Sequence, residues 1–162
     1  MKYISTRGQT APMDFSDVLL MGLAPDGGLM LPEQYPNIDN ATLTEWRSLS
    51  YPQLALAIMQ RFATDIPVAD LQDIIERTYT AEIFGSDEIV PVRKLEDNLY
   101  ILGLSNGPTL AFKDVAMQFL GNAFEYVLKR KNARITIIGA TSGVTGSAAE
   151  YALRGNDNIE VF

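Results

Sequence analysis

The last thirty residues constrain the fold most. An apolar run at 135–138 (Ile-Thr-Ile-Ile) leads into the small-residue loop Gly139-Ala-Thr-Ser-Gly-Val-Thr-Gly146, a helical pattern over 147–154, and a second apolar run at 159–162. Two strands separated by a helix cannot close as a hairpin. They pair in parallel through a right-handed crossover, and a parallel sheet is covered on both faces. The succession therefore predicts an α/β fold, with Gly155 capping the helix. The chain stops inside the second strand on an apolar Ile-Glu-Val-Phe162. From this we expect a truncated piece or half of a split protein, with an unpaired edge that invites a second copy or the missing part.

The loop between strand and helix has chemistry of its own. Backbone amides at such a turn, freed of bulky side chains by Gly143 and Gly146, make a site for a carboxylate or phosphate. The plainer alternative is a tight turn in which small residues let helix and strand approach. A nucleotide-binding loop fits poorly, because G-x-G-x-x-G is absent and the chain ends before an acidic ribose partner.

Upstream, residues 104–114 read Leu-Ser-Asn-Gly-Pro-Thr-Leu-Ala-Phe-Lys-Asp. After Gly107-Pro108, apolar residues recur at Val115, Ala116, Phe119, Leu120, Ala123, Phe124, Val127 and Leu128, the stripe of a core-facing helix. Lys113 falls in or just before its first turn. Unpaired amides make that end positive, and Asp114 offsets this only in part. An amine held there can act as a nucleophile that forms a Schiff base. An ordinary surface lysine at a helix start is the plain alternative.

Composition narrows the chemistry. The 162 residues, 47% of them hydrophobic, suffice for a core, and no apolar stretch approaches the roughly 20 residues that cross a bilayer. There is no cysteine and no histidine, so disulfides, thiolate chemistry and imidazole bases are excluded. Proton transfer must use lysine, carboxylate, tyrosine or water. A net charge of -7 argues against nucleic acid and anionic membrane as partners, and a soluble cytoplasmic protein is expected.

Taken in order, residues 1–5 read as a short strand, 14–23 as a helix, and Asp26-Gly27-Gly28 as a surface turn into extended residues 29–31. Helices are expected at 42–49, 51–63 and 67–79. Ser50 with Gln53 forms a capping box, and Pro52 and Pro67 suit first turns. Residues 89–95 and 99–104 alternate as a hairpin that delivers the chain into the lysine loop. We expect a mainly helical accessory region at 1–86 and the beginning of an α/β domain at 87–162.

Gly107-Pro-Thr-Leu-Ala-Phe-Lys-Asp114 together with Gly139-Ala-Thr-Ser-Gly-Val-Thr-Gly-Ser-Ala-Ala149 resembles threonine synthase, a pyridoxal-phosphate enzyme of the tryptophan-synthase-like fold type. Met1-Lys-Tyr-Ile-Ser-Thr-Arg-Gly8, Phe15-Ser-Asp-Val-Leu-Leu-Met-Gly-Leu23 and Asp26-Gly-Gly-Leu-Met-Leu-Pro32 are similar to the family's opening. The resemblance implies an incomplete parallel-sheet fold of that type behind a helix-rich N-terminal part. It implies that Lys113 carries pyridoxal 5'-phosphate as an internal aldimine, with Asn106 also at the cofactor. Thr141, Ser142, Gly143 and Thr145 would then bind the substrate carboxylate.

The activity implied is the lyase conversion of O-phospho-L-homoserine and water to L-threonine and phosphate. The cofactor would be held weakly or not at all by this chain alone, because the family's phosphate-binding loop lies later. The sequence departs from the family pattern at Val144, where an acidic residue is usual, at Gly103, also usually acidic, and at Asn106, usually histidine. Valine has no hydrogen-bonding side chain, so a non-catalytic binding or assembly module that keeps the fold is the alternative reading.

Overall fold

A computed structural model describes residues 1–162, which form two compact units, Met1–Asp73 and Ile74–Phe162.

In the first unit, strand β1 (Tyr3–Ser5) pairs antiparallel with β2 (Met30–Pro32), in the register Tyr3 opposite Pro32 and Ser5 opposite Met30. Pro32 lies inside β2 rather than beyond it, as an edge strand tolerates. Helix α1 (Phe15–Met21) lies between the strands in sequence, and α2 (Asn40–Trp46) and α3 (Tyr51–Met59) follow. The Asp39 side chain caps α2 by accepting the Thr42 N–H. The capping box expected at the start of α3 is present, with Ser50 and Gln53 each accepting the other's backbone N–H.

The Asp26-Gly-Gly turn is more than a surface reversal. Asp26 Oδ1 accepts the Ser5 hydroxyl at 2.7 Å and the Gly28 N–H at 2.9 Å, while Oδ2 accepts the Gln9 N–H at 2.9 Å. One carboxylate thus ties the end of β1 to the approach of β2. Tyr3 is buried and its hydroxyl donates to the Phe62 carbonyl at 3.2 Å.

Helix α4 (Val68–Thr78) is amphipathic, with Leu71, Ile74 and Ile75 fully buried on one face. A short helix, α5 (Ala81–Phe84), is capped by Thr80 and closed by Gly85 in the left-handed region. The expected hairpin follows as β3 (Val92–Glu96) and β4 (Leu99–Leu102), turned at Asn98 with φ 66°. It starts three residues later than the alternation predicts. Ile89 sits before it at φ 60°, with its side chain buried, so its burial is decided outside the ladder.

The long helix α6 (Asp114–Lys131) buries Gln118, Ala123, Val127 and Leu128 and ends at Asn132 in a left-handed cap. Strand β5 (Ile135–Ile137) and strand β6 (Ile159–Val161) pair in parallel through helix α7 (Val144–Leu153), with Ile135 opposite Ile159. This is the crossover that the C-terminal pattern predicts. No helix is long and apolar enough to cross a membrane.

Candidate active site

Helix α6 begins where the lysine loop ends. Lys113 occupies the flanking position at φ -63° and ψ -24°, and its carbonyl accepts the N–H groups of Ala116 at 3.0 Å and Met117 at 2.8 Å. Its Nζ lies 4.9 Å from the centre of the Phe112 ring, a cation–π contact worth about 0.5–1 kcal/mol at an exposed site. The loop before it is folded on itself: the Leu110 N–H donates to the Gly107 carbonyl, and Thr109 donates through both its N–H and its hydroxyl to Asp114. Asn106 is half-buried immediately upstream of Gly107.

Helix α7 begins three residues earlier than the periodicity suggests, at Val144 rather than Ser147. Two features start it early. Gly143 adopts φ 117° and ψ -53°, a conformation open to glycine, and no side chain caps the helix from that position. Thr141 Oγ1 acts instead, accepting the N–H of Gly143 at 3.0 Å and of Gly146 at 3.1 Å. A β-carbon on Gly146 would stand 2.5 Å from that oxygen.

This arrangement changes which groups can meet an anion. The amides of Gly143 and Gly146 are taken by Thr141, although they are the ones the glycine spacing singles out. A hydroxyl has two acceptor lone pairs and one proton, so Thr141 keeps its O–H as a donor. The amides of Val144 and Thr145 lie in the first helical turn, where no intrahelical acceptor exists for them. The Val144 side chain is 60% exposed.

Chain direction places the two helix starts at one end. The short connection 132–134 joins α6 to β5, and α7 crosses over between the parallel strands β5 and β6; in such units the helices run against the strands. Helices α6 and α7 therefore run the same general way, with their N-termini toward the C-terminal ends of the strands, where open α/β sheets bind ligands. They pack where a β-carbon on Gly121 would overlap the Ala152 carbonyl. Gly121 follows Lys113 by eight residues and Ala152 follows Val144 by eight, so each start lies about 12 Å along its axis from the crossing.

An open cleft of about 350 Å³ at this end is lined by Thr141, Thr145, Gly146, Glu150, Val161 and Phe162, among others. Of the residues expected to bind substrate, Thr141 and Thr145 line the cleft, whereas Ser142 and Gly143 are exposed and outside its lining; Lys113 and Asn106, the residues expected at the cofactor, also lie outside it. Gly103, the other departure noted above, donates its N–H to the Pro91 carbonyl at 2.8 Å, and a β-carbon there would stand 3.1 Å from Pro91 Cγ. A longer side chain at that position would crowd the end of the hairpin.

Residues 2–79 match the family described as threonine synthase N terminus. The whole chain is 55% identical to threonine synthase of Methylobacillus glycogenes, covering 36% of that protein. The chain matches the N-terminal portion of threonine synthases. Among solved structures, the family member from Brucella melitensis, bound to PLP, superposes with a TM-score of 0.95 at 45% identity, covering 100% of this chain and 35% of that one. The threonine synthase from yeast superposes with a TM-score of 0.91 at 46% identity, covering 99% of this chain and 34% of that one. The fold is thus the α/β fold of this family, and the chain spans about a third of the length of the relatives it matches.

Two residues that organise the region escape a reading of the sequence alone. Asp114 looks like a dipole partner at a helix start, yet it is fully buried and faces backward onto Thr109. The clue available was Gly107, whose missing side chain makes room for it. Thr141 looks like one more ligand in a polar loop, but its oxygen is what holds the loop together.

Proposed function

We propose that this chain is the lysine-bearing portion of a pyridoxal-phosphate-dependent threonine synthase, whose whole form converts O-phospho-L-homoserine and water to L-threonine and phosphate. The reading rests on the chain direction, which brings the starts of α6 and α7 toward a common end. One start offers a primary amine, and the other a cluster of amides and hydroxyls suited to a carboxylate. The 45–55% identity to threonine synthases across the chain supports the same reading.

The residues fit the cofactor. Lys113 has the amine that its aldehyde requires, Asn106 adds an uncharged hydrogen-bonding group beside the loop, and Gly143 puts no side chain into the open space before the second loop. When bound, pyridoxal phosphate supplies an electron sink for the carbanions of the reaction. The chain's own groups do the positioning. Lys113 Nζ accepts and returns protons, while the Thr141 hydroxyl, the Ser142 hydroxyl and the amides of Val144 and Thr145 orient the substrate carboxylate. The cofactor-binding region starts at residue 87 in this reading, and turnover requires the C-terminal portion that the relatives possess.

Mixing the chain with the C-terminal remainder of a relative, pyridoxal phosphate and O-phosphohomoserine, and following phosphate release, tests the proposal. Release is expected from the mixture, not from the chain alone, and it disappears with Lys113→Ala. Turnover that survives Lys113→Ala overturns the assignment. Exposed Val144 favours the second reading, a non-catalytic assembly module, and a mixture that assembles but stays silent with Lys113 intact supports it.

A further inference from the structure

We propose that Asp114 is a positioning residue for Lys113, acting through Thr109; the inference rests on the proposed role of Lys113. The Asp114 side chain has no solvent exposure. Its Oδ2 accepts the Thr109 N–H at 2.8 Å, and its Oδ1 accepts the Thr109 hydroxyl at 2.7 Å. Both oxygens are engaged by one residue across the segment that ends in Lys113. A carboxyl group removed from water is costly unless it is hydrogen-bonded, so this pairing is not exchanged freely for another.

Three other helix starts show that capping does not account for it. Asp39, Ser50 and Thr80 each stand before their helix and accept an amide from its first turn. Asp114 stands within α6 and reaches back to the loop, so what it secures is the chain ahead of the lysine. Gly107 is shaped to this contact, since a β-carbon there would overlap the Asp114 side chain. Lys113 is thereby bracketed, with the Thr109–Asp114 pair and the Asp114 N–H to Ala111 carbonyl bond (3.0 Å) on one side and the first turn of α6 on the other.

Leu110 gives an independent sign that the loop is held under constraint. Its φ of 60° is a left-handed conformation that a leucine adopts only at a cost, and its side chain is 71% exposed, so burial does not compensate. Such a conformation persists where its surroundings over-determine it. The Gly107–Leu110 turn and the Thr109–Asp114 pair supply that determination. What they fix is the direction in which the Lys113 side chain leaves the helix start, which is the geometry an amine nucleophile needs set before reaction.

The test uses the whole chain with pyridoxal phosphate, borohydride reduction and peptide mapping, scoring label on Lys113 against Lys2, Lys94, Lys129 and Lys131. Lys113 is expected to label preferentially. Thr109→Val, which keeps the shape but loses the hydroxyl, should slow labelling of Lys113 roughly tenfold and leave the other lysines unchanged. Thr109→Ser should restore it, which a general loss of structure would not allow. Circular dichroism identifies a variant that fails to fold; Asp114→Asn, which retains one acceptor oxygen, then carries the test with the same expected direction. Even labelling in the unaltered chain removes the role of Lys113 and this inference with it. Preferential labelling that is equally strong in Thr109→Val and Asp114→Asn overturns the positioning role while Lys113 keeps its own.

Discussion

Thr141 Oγ1 accepts the Gly146 N–H at 3.1 Å, and a β-carbon on Gly146 would stand 2.5 Å from the same oxygen. Closing the loop and leaving position 146 bare are therefore one requirement. Gly146→Ala should cost about 1–3 kcal/mol through overlap, more than the roughly 1 kcal/mol that alanine gains in a helix. Thermal unfolding reads the balance, at about 2–4 °C per kcal/mol for a chain of this size. A variant as stable as the parent would show that Thr141 yields freely.

Leu110 at φ 60° with its side chain in water makes a second prediction. Leu110→Asn removes little buried surface and places a residue that tolerates the left-handed region. A gain of up to about 1 kcal/mol in denaturant unfolding is expected. A loss would show that the leucine side chain makes contacts worth more than its backbone strain.

At the start of α7 the Val144 side chain is exposed beside uncapped amides. Val144→Asp places a negative charge at the positive end of the helix and should add about 0.3–1 kcal/mol at low salt. High salt should erase the gain. An increase that persists in salt would have to come from a specific hydrogen bond instead.

The Asp26 carboxyl is held down to about 2, chiefly by the Ser5 hydroxyl, with burial opposing and the Gly28 and Gln9 amides helping. Its ordinary value is 3.8, so the folded state binds the proton more weakly than the unfolded chain. The contribution is complete above about pH 4 and is lost as pH falls through about 2. Unfolding midpoints measured from pH 5 to pH 2 should therefore fall, and Asp26→Asn should start lower at pH 5 and fall less. Parallel curves for the two proteins would show that Asp26 does not report on folding.

Periodicity and turn chemistry read the local elements well. The Ser50–Gln53 box and the strand-loop-helix-strand order are local and present, whereas of the stripe expected on α6 only Ala123, Val127 and Leu128 are buried and Ala116 is exposed, because the buried face turns to take in Asp114, Gln118 and Gly121. The pairing of β1 with β2 was not legible, because it joins residues far apart through Asp26, and an Asp-Gly-Gly sequence announces only its own turn. The start of α7 at Val144 rather than Ser147 has a related cause. Glycine lowers helix propensity at Gly146, but a threonine five residues upstream offsets this by accepting its N–H. Asp114 was visible as a charge and hidden as a contact, since burial of an acidic residue depends on a glycine seven positions away.

The bare meeting of Gly121 with Ala152 acts as a fulcrum. Both helix starts lie about 12 Å from it, so a tilt of roughly 5° about that point moves each by about 1 Å, a displacement on the scale that degrades a reacting geometry. The angular tolerance between the Lys113 and Thr141 loops is thus set at a place where neither is found. A single methyl group at position 121 would act there as a wedge, and its effect would be greatest at the far ends of the two arms.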